Sequence, residues 1–79
     1  MSDLPSSIVD FGTRGCGDGI ASEFKERIAD LEPGQTIEVV VRDPSARTDL
    51  PAICRMLGHE ILSTQDTGDS ARILVRRSD

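Results

Sequence analysis

Cys16 is the residue of this chain best placed for chemistry. It lies in Gly12-Thr13-Arg14-Gly15-Cys16-Gly17-Asp18-Gly19, which holds four glycines in eight residues. No regular element survives that glycine density, so a loop is expected, ending where an amphipathic pattern begins at Ile20. The first N–H groups of a helix lack intrahelical partners, and the helix dipole is positive there. A thiolate at that end is stabilised, which lowers the thiol pKa and raises its nucleophilicity at neutral pH. Gly15 and Gly17 leave the sulfur accessible and let another molecule approach the backbone closely. Arg14 adds positive charge, Asp18 opposes it while offering a helix cap, and Gly19 completes the loop. The competing reading is a loop cysteine without a chemical role.

The other reactive side chains have structural readings. Cys54 stands on an apolar helical stripe, and a free Cys behaves as a small hydrophobe that favours the interior. A Cys16–Cys54 disulfide is disfavoured by the loop-tip and mid-helix positions. His59 follows Gly58 at the end of the second helix, where it suits the last carbonyls and the negative end of the dipole. Parallel helices would put Cys16 and His59 at opposite edges of the sheet, which argues against a Cys–His pair. The glycine cluster lacks both phosphate-loop signatures. Ile20 stands where the dinucleotide fingerprint needs its last glycine, and no Gly-Lys-Ser/Thr follows. A lone anion at the helix start would be repelled by Asp18.

The elements that must position these residues are legible in the pattern. Ser7–Phe11 reads as a first strand. Ile20, Phe24, Ile28 and Leu31 form one helical face, and Glu32-Pro33-Gly34 stops that helix. Thr36–Arg42, with three consecutive valines, reads as a central strand buried on both faces. Asp43-Pro44-Ser45 is expected to be a turn. The second helix is expected from about Thr48, its N-cap, to Leu57, with Pro51 in the first turn and Leu50, Ile53, Cys54 and Leu57 facing inward. Glu60–Gln65 and Ala71–Arg76 close the chain as a hairpin through Asp66-Thr67-Gly68-Asp69. The order β-α-β-α-β-β predicts an α+β fold: a two-layer α/β sandwich, with a four-stranded mixed sheet and two helices on one face. Residues 1–6 are expected to be a flexible tail and 7–77 a single domain.

Composition narrows the function. Seventy-nine residues suit one domain, since domains commonly hold about 100–200. Nine basic against fourteen acidic residues give a net charge of −5, which disfavours direct binding to RNA, DNA or anionic lipid. No apolar run approaches the roughly 18 residues of a membrane span, and the N-terminus lacks the basic and apolar regions of a signal peptide. A cytoplasmic location is therefore expected. Two cysteines are too few for a disulfide framework, and with one His and no CxxC a four-ligand zinc site is not expected.

Four stretches together resemble one family. Asp10 stands six residues before Cys16. Leu31-Glu-Pro-Gly34-Gln-Thr-Ile37-Glu-Val39 is similar to an L-x-x-G-x-x-[LI]-x-V turn into the second strand. Asp43-Pro44 followed by Asp49-Leu50-Pro51 matches D-P…D-[IL]-P, and Cys54 with Gly58-His59-Glu60 matches C-x-x-x-G-H-E. In this order and spacing they resemble the TusA (SirA-like) sulfur-carrier family over nearly the whole chain. The signature differs: Cys16-Gly17-Asp18-Gly19 stands where the family has Cys-Pro-x-Pro. Proline pre-forms a first helical turn, whereas glycine adds entropy to the loop.

The resemblance implies the same two-layer fold. It also implies a sulfurtransferase or sulfur carrier that accepts sulfane sulfur as a persulfide on Cys16. The donor would be a cysteine desulfurase or rhodanese-like protein, and the sulfur would pass to an acceptor protein in tRNA thiolation, cofactor synthesis or sulfur metabolism. No metal or other cofactor is implied, and a monomer is expected. The alternative is a non-catalytic regulatory or protein-interaction domain on the same scaffold, with Cys16 redox-sensing or inert.

Overall fold

Alternating β-branched residues in the central strand organise the molecule. The computed structural model describes residues 5–13 and 19–78. Its elements are β1 (Ser7–Asp10), α1 (Ile20–Ala29), β2 (Thr36–Val41), α2 (Pro44–Met56), β3 (Glu60–Asp66) and β4 (Ala71–Arg76). They form one four-stranded sheet in the order β1-β2-β4-β3. The β1–β2 pair is parallel, while β2–β4 and β4–β3 are antiparallel. The expected mixed sheet, with parallel pairing in its first part and a closing hairpin, is what forms. The insertion of β4 between β2 and β3 has no counterpart in local pattern.

Strand period two sends Ile37, Val39 and Val41 to one face, and each is fully buried. Val9, Ala71, Ile73 and Val75 join them from the neighbouring strands, and Ile20, Phe24, Ile28, Ala46, Leu50 and Cys54 join from the two helices. Val40 points the other way and is still only 8 % exposed. Its cross-strand neighbours are Asp10 and Arg72, whose side chains are drawn into ion pairs with Arg42 and Glu38. On this open face β2 is buried only at Val40, between these charged residues, while Thr36 and Glu38 stay partly exposed, so burial on both faces is less complete than expected. Ile8 on the same open face remains 62 % exposed.

The second helix corrects the expectation for its start. It begins at Pro44 rather than near Thr48, and its N-cap is Asp43. The Asp43 carboxylate accepts from the N–H groups of Ser45 (2.9 Å) and Ala46 (3.1 Å) and from the Ser45 hydroxyl. These hydrogen bonds hold the Asp43 carboxyl below its ordinary pKa, the Ser45 hydroxyl contributing most. Pro44 sits at the first helical position, where a missing N–H is harmless and a fixed φ is useful. Ala46 extends the inward stripe of Leu50 and Cys54 by one turn. Pro51 consequently lies inside the helix and forgoes the bond to the Arg47 carbonyl. Arg47 pins this first turn to the hairpin through Asp66 and the Gly68 carbonyl.

At its other end α1 stops at Ala29, two residues before Leu31. Asp30 N–H bonds the Arg27 carbonyl and Leu31 N–H the Ile28 carbonyl, so the last turn tightens. Leu31 is buried all the same.

Cys54 is free, has no solvent exposure and lies in the core, as its stripe predicted. Cys54→Ser puts a hydroxyl among apolar neighbours and should cost about 1–3 kcal/mol in urea unfolding. Cys54→Ala, which adds no polar atom, should cost less. An equal loss in both would show that volume, not polarity, sets the penalty.

Candidate functional site

Parallel pairing of β1 with β2 brings the ends of both strands together beside the start of α1. Arg14, Gly15, Cys16, Gly17 and Asp18 lie outside the described residues, and Gly19 is the described member of the expected set.

On the strand side, pairing continues past β1. Phe11 N–H donates to the Val40 carbonyl at 2.9 Å, and Arg42 N–H donates to the Gly12 carbonyl at 2.9 Å. Phe11 is buried and anchors the departing chain. Asp10 folds back to accept from Gly12 N–H at 2.7 Å, and Gly12 takes a φ of 63°, which a residue with a Cβ adopts reluctantly. The Arg42 guanidinium reaches both Asp10 carboxylate oxygens, at 3.1 and 3.3 Å. Asp10 is thus a turn-former at the loop's base. Its carboxyl is held below the ordinary 3.8, first by the Gly12 N–H, with burial opposing, and then by Arg42.

On the helix side, Gly19 is the N-cap of α1, with φ 85° and ψ 16°, and has no side chain to cap the helix. The first intrahelical bond runs from Glu23 N–H to the Gly19 carbonyl at 3.1 Å. The N–H groups of Ile20, Ala21 and Ser22 therefore face the loop end of the helix without helical partners. An anionic group held in this loop would meet them and the positive end of the dipole. Glycine at position 19 suits the left-handed cap, which explains one of the two glycines that stand where the family signature has proline.

The remaining cysteine and the histidine are elsewhere. Burial pushes the Cys54 thiol up to about 11, so it is a poor nucleophile at neutral pH. The His59 side chain does not bond the last carbonyls of α2. Its backbone N–H does so, donating to the Cys54 carbonyl at 3.0 Å. The ring accepts instead from Ser78 N–H, at Nδ1, 3.3 Å away. His59 lines a groove with Ile28 and Ala29, in the last turn of α1. The helix is ten residues long, about 15 Å, so His59 and the Cys16 loop sit at opposite ends of it.

Two arginines in this architecture escaped the sequence reading. Arg42 is the partner of Asp10, and the usable signal was that both stand at the ends of adjacent parallel strands. Arg77 caps α1 from the far end of the chain. Its Nη1 donates to the carbonyls of Ile28 (3.4 Å), Ala29 (3.0 Å) and Leu31. No local signal links residues so far apart in sequence.

Asp10 titration tests the loop-base geometry. A carboxyl lowered in the folded state stabilises the fold above its unfolded pKa, and that stability is lost as pH falls through the folded value. The acid limb should therefore steepen below about pH 4 and flatten in Asp10→Asn. In carbon-detected NMR, Arg42→Met should raise the Asp10 pKa only in part, since the Gly12 N–H is the larger cause. Full recovery of the ordinary value would show that Arg42 dominates.

The model of the family described as sulfurtransferase TusA matches residues 22–77. The sulfur carrier protein TusA of Pseudomonas aeruginosa strain UCBPP-PA14 is 35 % identical over 51 residues, covering 65 % of this chain and 65 % of that protein. This chain therefore spans slightly under two thirds of that relative. The sulfur carrier protein TusA of Pseudomonas putida strain F1 is 30 % identical over 78 residues, 98 % of this chain and 96 % of the other. Among the described residues, no helix is long and apolar enough to cross a membrane.

Proposed function

This chain belongs to the TusA family, and from that premise we propose that it is a sulfur carrier that holds sulfane sulfur as a persulfide on Cys16. The observation that carries the reading is the end of α1. Three residues after Cys16 the helix opens at Gly19, which supplies no side-chain cap, and its first N–H groups have no helical partners. A thiolate there is stabilised, and so is the terminal sulfur of a persulfide, which is also anionic. Arg14 adds positive charge, while Gly15 and Gly17 give a donor room to approach.

The chemistry is sulfur exchange. The Cys16 thiolate attacks the outer sulfur of a donor persulfide. The new bond joins Sγ to that sulfur, the donor's own S–S bond breaks, and its electron pair leaves on the donor thiolate. An acceptor nucleophile repeats the exchange on the Cys16 persulfide and returns Cys16 to its thiolate. Sulfane sulfur moves, with no net oxidation and no cofactor. A cysteine desulfurase or rhodanese-like protein serves as donor and a second protein as acceptor, in the cytoplasm, supplying tRNA thiolation, cofactor synthesis or sulfur metabolism. Asp10 and Arg42 shape the base of the loop.

Intact-mass spectrometry after incubation with a cysteine desulfurase and cysteine, without reductant, tests the reading. The expected product is the chain plus one sulfur atom, mapped to Cys16 and absent in Cys16→Ser. Cys54, buried and poorly ionised, should stay unmodified. Absence of the adduct with the desulfurase, with thiosulfate and with small persulfides alike would reject the carrier role.

A further inference from the structure

Both helices cover one face of the sheet, and the other face lies open. Val39 and Ile73 point to the helices, so period two sends their neighbours Glu38, Val40, Arg72 and Leu74 to the open side. β1 adds Ile8 and Asp10, beside Glu38 and Val40. β3 adds Glu60 and Ser63, beside Arg76 and Leu74. Ile8 is 62 % exposed, and Leu62, the extra residue at the β3 bulge next to Ser63, is 42 % exposed. Two of the three exposed large hydrophobics among the described residues therefore stand on this face or at its border. Its charges balance: Asp10, Glu38 and Glu60 each pair with an arginine of the same face, Arg42, Arg72 and Arg76.

Charge and register choose the occupant. The rest of the chain carries the whole net charge of −5, so two copies repel through an average patch of it, and not through this balanced face. Nucleic acid needs a net positive surface, which this face lacks. The strand registers place Ile8, Glu38, Leu74 and Ser63 in one row across the sheet, and Asp10, Val40, Arg72 and Gln65 in the next. A two-fold axis along the strands, between β2 and β4, exchanges the halves of each row. It sets Ile8 of one copy over Ser63 of the other, next to Leu62. It sets Glu38 over the second copy's Leu74, with Arg72 and Arg76 two residues away on either side. Asp10 falls over Gln65, beside Arg72. Acids on β1 and β2 thus meet arginines on β4, and no acid is set over an acid. Four strands at about 4.8 Å spacing and six residues at about 3.4 Å give a face of about 400 Å² per copy. Stable complexes bury roughly 800 Å² per partner, so this contact is weak and reversible.

We infer that the open sheet face is a contact between two copies of this chain, a weak symmetric dimer in which Ile8 packs by the second copy's Leu62 and Glu38 lies between its Arg72 and Arg76. This replaces the monomer expected from the resemblance, because a row across the sheet exists only once the strand order is set. The contact does not depend on the sulfur chemistry, and α1 lies on the other face of the sheet.

The test uses the full chain carrying Cys16→Ser, which excludes dimers joined by a Cys16 disulfide. Sedimentation and ¹⁵N NMR are measured from about 20 μM to about 1 mM, a range that brackets weak association. The average mass should rise toward that of two copies, with dilution shifts concentrated at Ile8, Glu38, Val40, Arg72 and Leu74. Ile8→Asp and Leu62→Ser, both at exposed positions, should each weaken association at least fivefold while the spectrum remains that of a folded chain. If Ile8→Asp unfolds the domain, Leu62→Ser and the dilution shifts decide. A monomer at every concentration would overturn the proposal. So would association that the folded variants leave unchanged, or dilution shifts on the helices in place of this face. A mass that climbs past two copies would assign open-ended stacking of strand edges and overturn it as well.

Discussion

Ile37, Val39 and Val41 reach zero exposure only because both helices cross the same face of the sheet. This one-sided burial sets the positions of the rest. Strand β2 must be central to be covered so completely, and it pairs with β1 on one side and β4 on the other. Covering one face also leaves the other without a layer. There the chain relies on cross-strand ion pairs, Asp10–Arg42, Glu38–Arg72 and Glu60–Arg76. Exposed pairs of this kind add little stability singly. Asp10 and Arg72 flank Val40 across the sheet, and the charged residues keep the open face from being a bare apolar surface.

Helices returning over one face also give the molecule two chemically distinct ends. Strands β1, β2 and β3 share a direction and both helices run back against them, so both helix N-termini lie at one end. That end carries Asp10, the Asp43 cap and the Cys16 loop's attachment points. The other end carries the helix C-termini with Arg77 and His59. Cations belong at helix C-termini on electrostatic grounds, and the Arg77 cap donates to the Ala29 and Leu31 carbonyls that follow the last helical bonds. The same arrangement puts the positive helix ends at one end of the sheet and the negative helix ends, with Arg77 and His59, at the other.

Much of the architecture was legible because its signals are local. Strand and helix periods, the Glu32-Pro33-Gly34 stop and the Asp66–Asp69 turn each depend on a few consecutive residues. The start of α2 was misread for a local reason too. Asp43-Pro44 satisfies the rule for a turn and equally the rule for an N-cap followed by a first-position proline. What separates them is Ala46, whose small side chain reads as neutral in sequence and is fully buried in the fold.

The sequence by itself determined the six elements, their α+β class, the inward stripe of Cys54 and the placement of Cys16 ahead of a helix, because each follows from residue type and spacing within one segment. Only the tertiary structure decided the strand order, the pairing of Asp10 with Arg42, the capping of α1 by Arg77 and the groove that Lys25, His59 and Arg77 share. Each of these joins groups tens of residues apart, and such contacts arise from how apolar faces pack, which leaves no periodic trace in the chain.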